Sequence, residues 1–163
     1  MRILVISDSH KRGDLVEKII QREPDAKEIF FLGDITPDIE DFVYLYTDRK
    51  FHIVSGNCDF MSSYRSTDTA TVGTTRIFYT HGHTLGVKYG IERLKNTAID
   101  NNCTIALYGH THQADCHREE DGLWVLNPGS CGYFGGSAGL ILADNGKIWR
   151  CLILKEEDLL RSW

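Results

Sequence analysis

The stretch MRILVISDSH, residues 1–10, joins a run of apolar residues to two polar groups that can hold a metal ion. Ile3 to Ile6 is typical of a buried strand, and Asp8 and His10 follow it directly. Side chains just past a strand gather at one edge of an open α/β sheet, where such folds keep their ligand sites. Residues two apart in an extended turn face the same way, so this carboxylate and imidazole can contact one ion.

Four more apolar runs along the chain end at a residue that can bind a metal. They are Ile29 to Leu32 before Asp34, Phe51 to Val54 before Asn57, Ile77 to Tyr79 before His81, and Ile105 to Leu107 before His110 and His112. Taken singly, such residues are equally typical of helix caps, turns or surface histidines. Their repeated position after strands predicts one shared metal site. Its seven candidate ligands are Asp8, His10, Asp34, Asn57, His81, His110 and His112.

The types of side chain in this set indicate which ions fit. Carboxylate, amide and imidazole groups form a mixed nitrogen and oxygen set that suits manganese, iron, zinc or a similar divalent ion. Gly33 allows close backbone approach beside Asp34, and the two oxygens of a carboxylate can contact two cations, so we assign the bridging position to Asp34. Imidazole ligands must be deprotonated, and metal loading is therefore expected to weaken at acid pH.

Length and periodicity predict a single α/β domain over residues 1–163. A chain of 163 residues with 42% hydrophobic content suits one compact core. Helical spacing within 15–20 and 39–46 makes the first third βαβαβ, with parallel strands, and a third helix is expected within 91–99. A hairpin over 67–80 is followed by strands near 113–119, 122–126, 138–143 and 147–154, the last two joined at Asn145-Gly146. A second sheet packed on the first is the economical arrangement.

Composition restricts the location and the partners of the protein. No run approaches the roughly 20 apolar residues of a membrane span, and the start of the chain is typical of a strand rather than a signal peptide. The five cysteines give an odd number without a Cys-x-x-Cys pair, which favours free thiols in a reducing compartment, so we expect a cytoplasmic protein. A net charge of −5 argues against binding of long nucleic acid. A homo-oligomer is compatible with the sequence, which leaves the oligomeric state open.

The series of motifs resembles the calcineurin-like metallophosphoesterase superfamily in order and spacing. The motifs are Asp8-Ser9-His10, Gly33-Asp34, Gly56-Asn57-Cys58-Asp59, Thr80-His81-Gly82-His83 and Gly109-His110-Thr111-His112. The short length, Cys58 and Asn127-Pro128-Gly129-Ser130 narrow the resemblance to the small single-domain YfcE-type phosphodiesterases. This resemblance implies a four-layer αββα sandwich, with two mixed β-sheets flanked by helices.

The same resemblance implies an arrangement of metals and an activity. One ion would lie on Asp8, His10, Asp34 and His112, and the other on Asp34, Asn57, His81 and His110. Manganese is the usual metal in such proteins, with iron, zinc and nickel as alternatives. The implied activity is hydrolysis of a small phosphodiester by a water activated between two metals. The alternatives are a non-catalytic scaffold of this fold, as in the retromer subunit, and a phosphomonoesterase or nuclease with the same metal site.

Two residues beside the ligands, Cys58 and His83, are the candidate catalytic groups. Many superfamily members carry a histidine after the metal-binding asparagine, where this chain has Cys58, so proton donation and simple packing both stay open for that thiol. The proton for the leaving group could come from His83 or from a metal-bound water, and His83 could alternatively contact a metal ligand or the substrate. Asp59 is expected either to orient His10 or His83 or to cap a turn.

The glycine-rich loop over residues 129–139 is interpreted as a turn between strands, because such turns need no ligand to explain them. The alternative is a rim for an aromatic leaving group, formed by Tyr133 and Phe134. His52 and His117 are interpreted as ordinary strand residues.

Overall fold

The computed structural model of the protein describes residues 1–133, 136–155 and 157. The strands are β1 (Arg2–Ile6), β2 (Ala26–Phe31), β3 (Lys50–Ile53), β4 (Thr67–Val72), β5 (Thr75–Thr80), β6 (Ile105–Leu107), β7 (Asp115–Arg118), β8 (Trp124–Asn127), β9 (Ser137–Asp144) and β10 (Lys147–Lys155). The helices are α1 (Gly13–Arg22), α2 (Pro37–Leu45) and α3 (Glu92–Asp100), with 3-10 turns at His83–Leu85 and Val87–Tyr89.

The strands form two five-stranded mixed sheets. The first sheet has the order β10-β9-β1-β2-β3, in which β1, β2 and β3 are parallel and β9 runs antiparallel to both β1 and β10. The second has the order β4-β5-β6-β8-β7, in which β5, β6 and β8 are parallel and the outer strands β4 and β7 are antiparallel to their neighbours. The parallel strands are those that the metal-binding motifs follow.

The apolar side chains sort into three layers of core. Because side chains alternate along a strand, Ile3 and Val5 of β1 face the second sheet, whereas Leu4 and Ile6 face α1 and α2. The cluster between the sheets also holds Phe30 of β2. On the far side of the second sheet, Leu94 and Ala98 of α3 pack with Phe78, Ala106 and Val125 of the sheet in a third cluster. The result is the four-layer αββα sandwich that the resemblance implied.

The secondary structure agrees closely with the sequence-based prediction, including the βαβαβ order of the first third and the hairpin before His81. The Asn145-Gly146 turn has positive φ angles of 46° and 78° at its two central residues, as a tight hairpin turn requires. Among the described residues, no helix has both the length and the apolar character that crossing a bilayer would require. That residues 1–163 form one domain stays a prediction.

Candidate metal centre

The structure brings all seven predicted ligands together at the ends of the parallel strands. They form two groups, the first made by Asp8, His10 and His112, and the second by Asn57, His81 and His110, with Asp34 beside both. Asp8 and His112 are 104 positions apart in the chain, yet their side chains contact each other. The convergence follows from topology, because the loops that leave parallel strands share one edge of the fold.

The first group joins the loop after β1 to the loop after β6. Nε2 of His112 lies 3.1 Å from Oδ1 of Asp8 and 3.2 Å from Nε2 of His10. Nε2 of His10 lies 3.9 Å from the same Asp8 oxygen. One carboxylate oxygen and two imidazole nitrogens thus point to a common volume, which is a donor set that divalent transition metals accept.

The second group is centred on the buried ring of His81. Its Nδ1 lies 2.8 Å from the carbonyl oxygen of Leu32, and a carbonyl can only accept, so Nδ1 carries the proton. In the neutral ring Nε2 is then a bare acceptor, yet it faces Oδ1 of Asn57 at 3.1 Å and Oδ1 of Asp34 at 3.5 Å. Nδ1 of His110 lies 3.2 Å away. These lone pairs repel unless a cation lies among them, so the residues present fit a metal ion.

Asp34 connects the two groups. Its carboxylate lies within 4.8 Å of ligand atoms of His10 and Cys58, and also within 4.8 Å of ligand atoms of Asp8 and His81. The side chain is buried, and one oxygen accepts a 2.9 Å hydrogen bond from the backbone N–H of Cys58. This position between the groups agrees with the bridging role assigned to Asp34 from the sequence.

The backbone at the ligands is held in an uncommon conformation. Positive φ angles occur at Asp8 (55°), His10 (47°), Asp34 (60°), His110 (69°) and His112 (58°). Non-glycine residues rarely adopt this left-handed region, and each such residue costs of order 1 kcal/mol or more. Such strain is concentrated where a fold must aim side chains at a fixed point, and here it affects most of the candidate ligands.

Asp59 holds the two turns that carry Asp34 and Asn57. Its carboxylate accepts backbone hydrogen bonds from Asp34 (2.9 Å), Ile35 (2.9 Å), Thr36 (2.6 Å) and Gly56 (2.7 Å). Within the described part of the chain these are its hydrogen-bond partners. The expectation that Asp59 orients His10 or His83 is therefore wrong, and the alternative of a turn cap is correct. The reason is that four converging N–H groups offer a carboxylate more hydrogen bonds than one imidazole can.

Three small residues that the sequence analysis did not select as site residues, Ser7, Gly109 and Ser130, surround Asp8 and hold it in position. The hydroxyl of Ser7 donates to Oδ2 of Asp8 at 2.5 Å, and Ser130 donates to the Asp8 carbonyl at 2.7 Å. A Cβ at Gly109 would collide with Ser7 and with the Asp8 carboxylate, so only glycine fits there. The motif containing Ser130 entered the sequence analysis only through the family resemblance, and the contact itself joins segments more than 100 residues apart.

The titratable groups of the site have shifted pKa values with identifiable causes. Burial acts to raise the pKa of Asp8, but hydrogen bonds from His112 and Ser7 lower it below its usual value. Burial lowers the pKa of His110 to about 4. The hydrogen bond to Asp8 raises the pKa of His112. At neutral pH His110 is therefore neutral, which is the form that binds a metal.

The two candidate catalytic residues both lie beside the second group. Burial, together with Asp34, raises the pKa of the Cys58 thiol to about 11, and the sulfur accepts a hydrogen bond from the amide nitrogen of Asn57 at 3.4 Å. This contact turns the amide oxygen of Asn57 towards His81. The His83 ring lies 5.3 Å from that of His81, and its Nδ1 is buried without a hydrogen-bond partner among the described residues. Burial lowers the pKa of His83.

The glycine-rich loop also reaches the site. The ring of Tyr133 lies 4.5 Å from the ring of His10 and stacks on that of His112 at 5.6 Å. Tyr133 of this loop therefore contacts the first ligand group. Phe134 lies outside the described residues. His52 and His117 lie on β3 and β7, as expected for strand residues.

Comparison with known proteins agrees with this geometry. Residues 1–144 match the calcineurin-like phosphoesterase superfamily domain. The chain is 29% identical over 131 residues to the probable metallophosphoesterase YsnB of Bacillus subtilis, covering 80% of this chain and 75% of that protein. It is 32% identical over 137 residues to vacuolar protein sorting-associated protein 29 of Schizosaccharomyces pombe, covering 80% of this chain and 72% of that protein.

A solved structure shows the same fold. A predicted phosphoesterase from Streptococcus pneumoniae TIGR4 superposes with a TM-score of 0.80 at 27% identity, covering 96% of this chain and 90% of that one. The family resemblance inferred from the motifs is thereby confirmed. The chain belongs to the calcineurin-like phosphoesterase superfamily.

Proposed function

We propose that this protein is a metal-dependent phosphodiesterase that hydrolyses a small phosphodiester. The observation that supports it most is the meeting of unprotonated acceptor atoms around Nε2 of His81, which need a cation between them. Membership of a phosphoesterase superfamily supports the reaction class. The small size of the chain and its net charge of −5 favour a small substrate over long nucleic acid.

The proposed ligands follow the two observed groups. Asp8, His10, Asp34 and His112 would hold one divalent ion, and Asp34, Asn57, His81 and His110 the other, with manganese expected and iron, zinc or nickel as alternatives. Two ions bound there would supply a water of lowered pKa and would neutralise charge on the phosphoryl group. The mixed nitrogen and oxygen donors suit these ions better than magnesium or calcium, which prefer oxygen.

The protein's own side chains would then position the phosphoryl group and move a proton. In the reaction the water oxygen forms a bond to phosphorus, the ester bond on the opposite side breaks, and the leaving oxygen needs a proton. We assign that proton to His83, because its ring lies beside His81 and His110 and has an unpaired nitrogen among the described residues. Because burial lowers the pKa of His83, the imidazolium form that donates the proton is favoured at acid pH. Cys58 is the weaker candidate, since a thiol with a pKa of about 11 is a poor acid at neutral pH.

The test is an assay on purified protein with Mn²⁺ and an aryl phosphodiester. We expect turnover that Asp34→Ala abolishes, because Asp34 lies beside both ligand groups. Asp25→Ala is the matched control, since Asp25 is an exposed aspartate on a turn and should leave turnover unchanged. Equal turnover in the wild type and in Asp34→Ala would exclude the proposal.

The second candidate function is a non-catalytic scaffold, favoured by the similarity to vacuolar protein sorting-associated protein 29. Metal analysis of the purified protein separates the two candidates. A hydrolase should retain two divalent ions per chain, and a protein that retains none favours the scaffold. Comparison of monoester, cyclic nucleotide and DNA substrates separates a phosphodiesterase from a phosphomonoesterase or nuclease. A cytoplasmic location is part of the proposal, supported by the five free cysteines.

A further inference from the structure

Two clefts of different chemistry are lined by residues next to the candidate ligands, Thr111 in the first and Cys58 in the second. The first, which we name the Lys88 cleft, has a volume of about 560 Å³, and its lining includes Lys88, Thr111, Gln113 and Asp115. Thr111 lies between His110 and His112, so this cleft borders both ligand groups. A phosphodiester bound at the metals would extend one of its two substituents into it.

The Lys88 cleft carries an unused positive charge. Lys88 is exposed, and within the described residues its ammonium group makes no hydrogen bond or ion pair with a carboxylate. The carboxylate of Asp115, on the same wall, is already hydrogen-bonded to Nδ1 of His117 at 2.7 Å. A free ammonium beside polar Thr111 and Gln113 is a site for an anionic group.

The second cleft, which we name the Phe60 cleft, has a volume of about 390 Å³ and is lined by Cys58, Phe60 and Met61 among others. Cys58 adjoins Asn57 of the second ligand group. Phe60 and Met61 are exposed by 87% and 103% of their reference surface. Met61 also has a positive φ of 64°, a conformation that is costly for a side chain of this size. An exposed apolar pair at the mouth of a cleft favours contact with an apolar group.

We propose that the substrate is an asymmetric phosphodiester, in which one substituent bears a second negative charge and the other is apolar or aromatic. Lys88 binds the charged substituent, and Phe60 with Met61 contacts the apolar one. This inference rests on the proposed function and names the substrate class of the same site. It predicts a preference for diesters over monoesters, because a monoester has only one substituent and leaves one of the two clefts unfilled.

The charged side is tested with three p-nitrophenyl phosphodiesters whose second substituent is butyl, carboxypropyl or phosphopropyl. KM is measured on the manganese-loaded protein, and calorimetry gives Kd for the matching non-hydrolysable phosphonates. The variants are Lys88→Met, which removes the charge at similar length, and Lys88→Arg, which keeps it. Lys147→Met is the control, because Lys147 is an exposed lysine on the distant β9–β10 hairpin.

In the wild type we expect KM and Kd about tenfold lower for an anionic substituent than for butyl, the effect of one charge-assisted hydrogen bond. Lys88→Met should remove this preference, whereas Lys88→Arg and Lys147→Met should keep it. The carboxylate and phosphate arms identify which anion the cleft prefers. The inference is overturned if the wild type shows no preference, or if Lys88→Met keeps it. Selective binding without turnover would retain the cleft assignment and refute the proposed hydrolysis.

The apolar side is tested by calorimetry with two non-hydrolysable phosphonates that both carry the carboxypropyl group for the Lys88 cleft and have phenyl or methyl as the other group. Phe60→Ser should raise Kd for the phenyl compound by about fivefold and leave Kd for the methyl compound unchanged, because the lost contact is apolar. Trp149→Ser, at an exposed aromatic residue of β10, is the control. Equal effects of Phe60→Ser on both compounds would overturn this half of the inference.

Discussion

His81 donates a hydrogen bond from Nδ1 to the carbonyl oxygen of Leu32, over 2.8 Å, at the end of β2. This bond fixes both the tautomer and the direction of the ring, so that the bare Nε2 faces Asn57 and Asp34. The residue is fully buried. The fold thus prepares one ligand position before any ion binds.

The first prediction concerns this prepared ligand. His81→Ala should lower the affinity for Mn²⁺ by about 100-fold. Mutation of a residue that only hydrogen-bonds to a metal ligand already lowers metal affinity by about 10–100-fold, and loss of a ligand should cost at least as much. Calorimetric titration of the metal-free protein measures the loss. His117→Ala is the control, since His117 lies on β7 and pairs with Asp115 and Glu119. Equal Mn²⁺ affinity in His81→Ala and His117→Ala would contradict the assignment of His81.

The second prediction concerns Asp59, which accepts four backbone hydrogen bonds from the turns at Asp34 and Gly56. Asp59→Asn replaces one acceptor oxygen by an N–H₂ group that faces other donors. We expect the free energy of unfolding to fall by about 2 kcal/mol and the Mn²⁺ affinity to fall by about tenfold. Chemical denaturation and metal titration measure these effects. Asp25→Asn, at an exposed aspartate, should change neither quantity.

The third prediction separates the two candidate proton donors. His83→Gln should lower kcat by about 100-fold, within the usual contribution of general acid catalysis. Cys58→Ser should change kcat little, because burial and Asp34 raise the pKa of the thiol to about 11 and serine can still accept the hydrogen bond from Asn57. Single-turnover measurement with the aryl diester compares the variants. A large fall in kcat for Cys58→Ser with no fall for His83→Gln would make Cys58, not His83, the proton donor.

The fourth prediction concerns the pH dependence of stability. Burial lowers the pKa of His52, although a 2.6 Å hydrogen bond to Glu28 partly opposes this. As the pH falls below about 6.5, the unfolded chain takes up this proton before the folded protein does. The contribution of His52 is therefore complete above that pH and is lost as the pH falls towards the lower pKa of the folded state.

Denaturation of the wild type and of His52→Gln in a chelator, at about pH 5 and about pH 7.5, measures this contribution on either side of the free histidine pKa. We expect the free energy of unfolding of the wild type to exceed that of His52→Gln by less at the lower pH. His117→Gln provides a control of opposite sign, because bonds to Glu119 and Asp115 outweigh burial and raise the pKa of His117. The free energy of unfolding of the wild type should exceed that of His117→Gln by more at the lower pH. If the stability difference from the wild type changed with pH in the same direction for both variants, the opposite pKa shifts of His52 and His117 would be contradicted.

Local sequence determined the elements of this protein and the identity of its candidate ligands. Alternation of apolar residues, as at Ile3 and Val5 against Leu4 and Ile6, marks a strand whatever its partners are, because side chains point to opposite faces in turn. Since parallel strands deliver their following loops to one edge, the residues after these strands could be expected to meet. The contacts of Asp8 with His112 and of Asn57 with His81 follow that expectation.

Only the tertiary structure decided how those ligands are aimed and what surrounds them. Three contacts join segments that no local pattern relates: the bond of His81 to Leu32, the four donors to Asp59, and the contact of Tyr133 with His10. The placement of Lys88 in a cleft beside Thr111 also depends on the fold. The direction of a backbone N–H or C=O depends on φ and ψ, which at several ligands lie in the left-handed region. Residue types name the chemistry of the site, whereas the fold sets the distances and directions through which that chemistry acts.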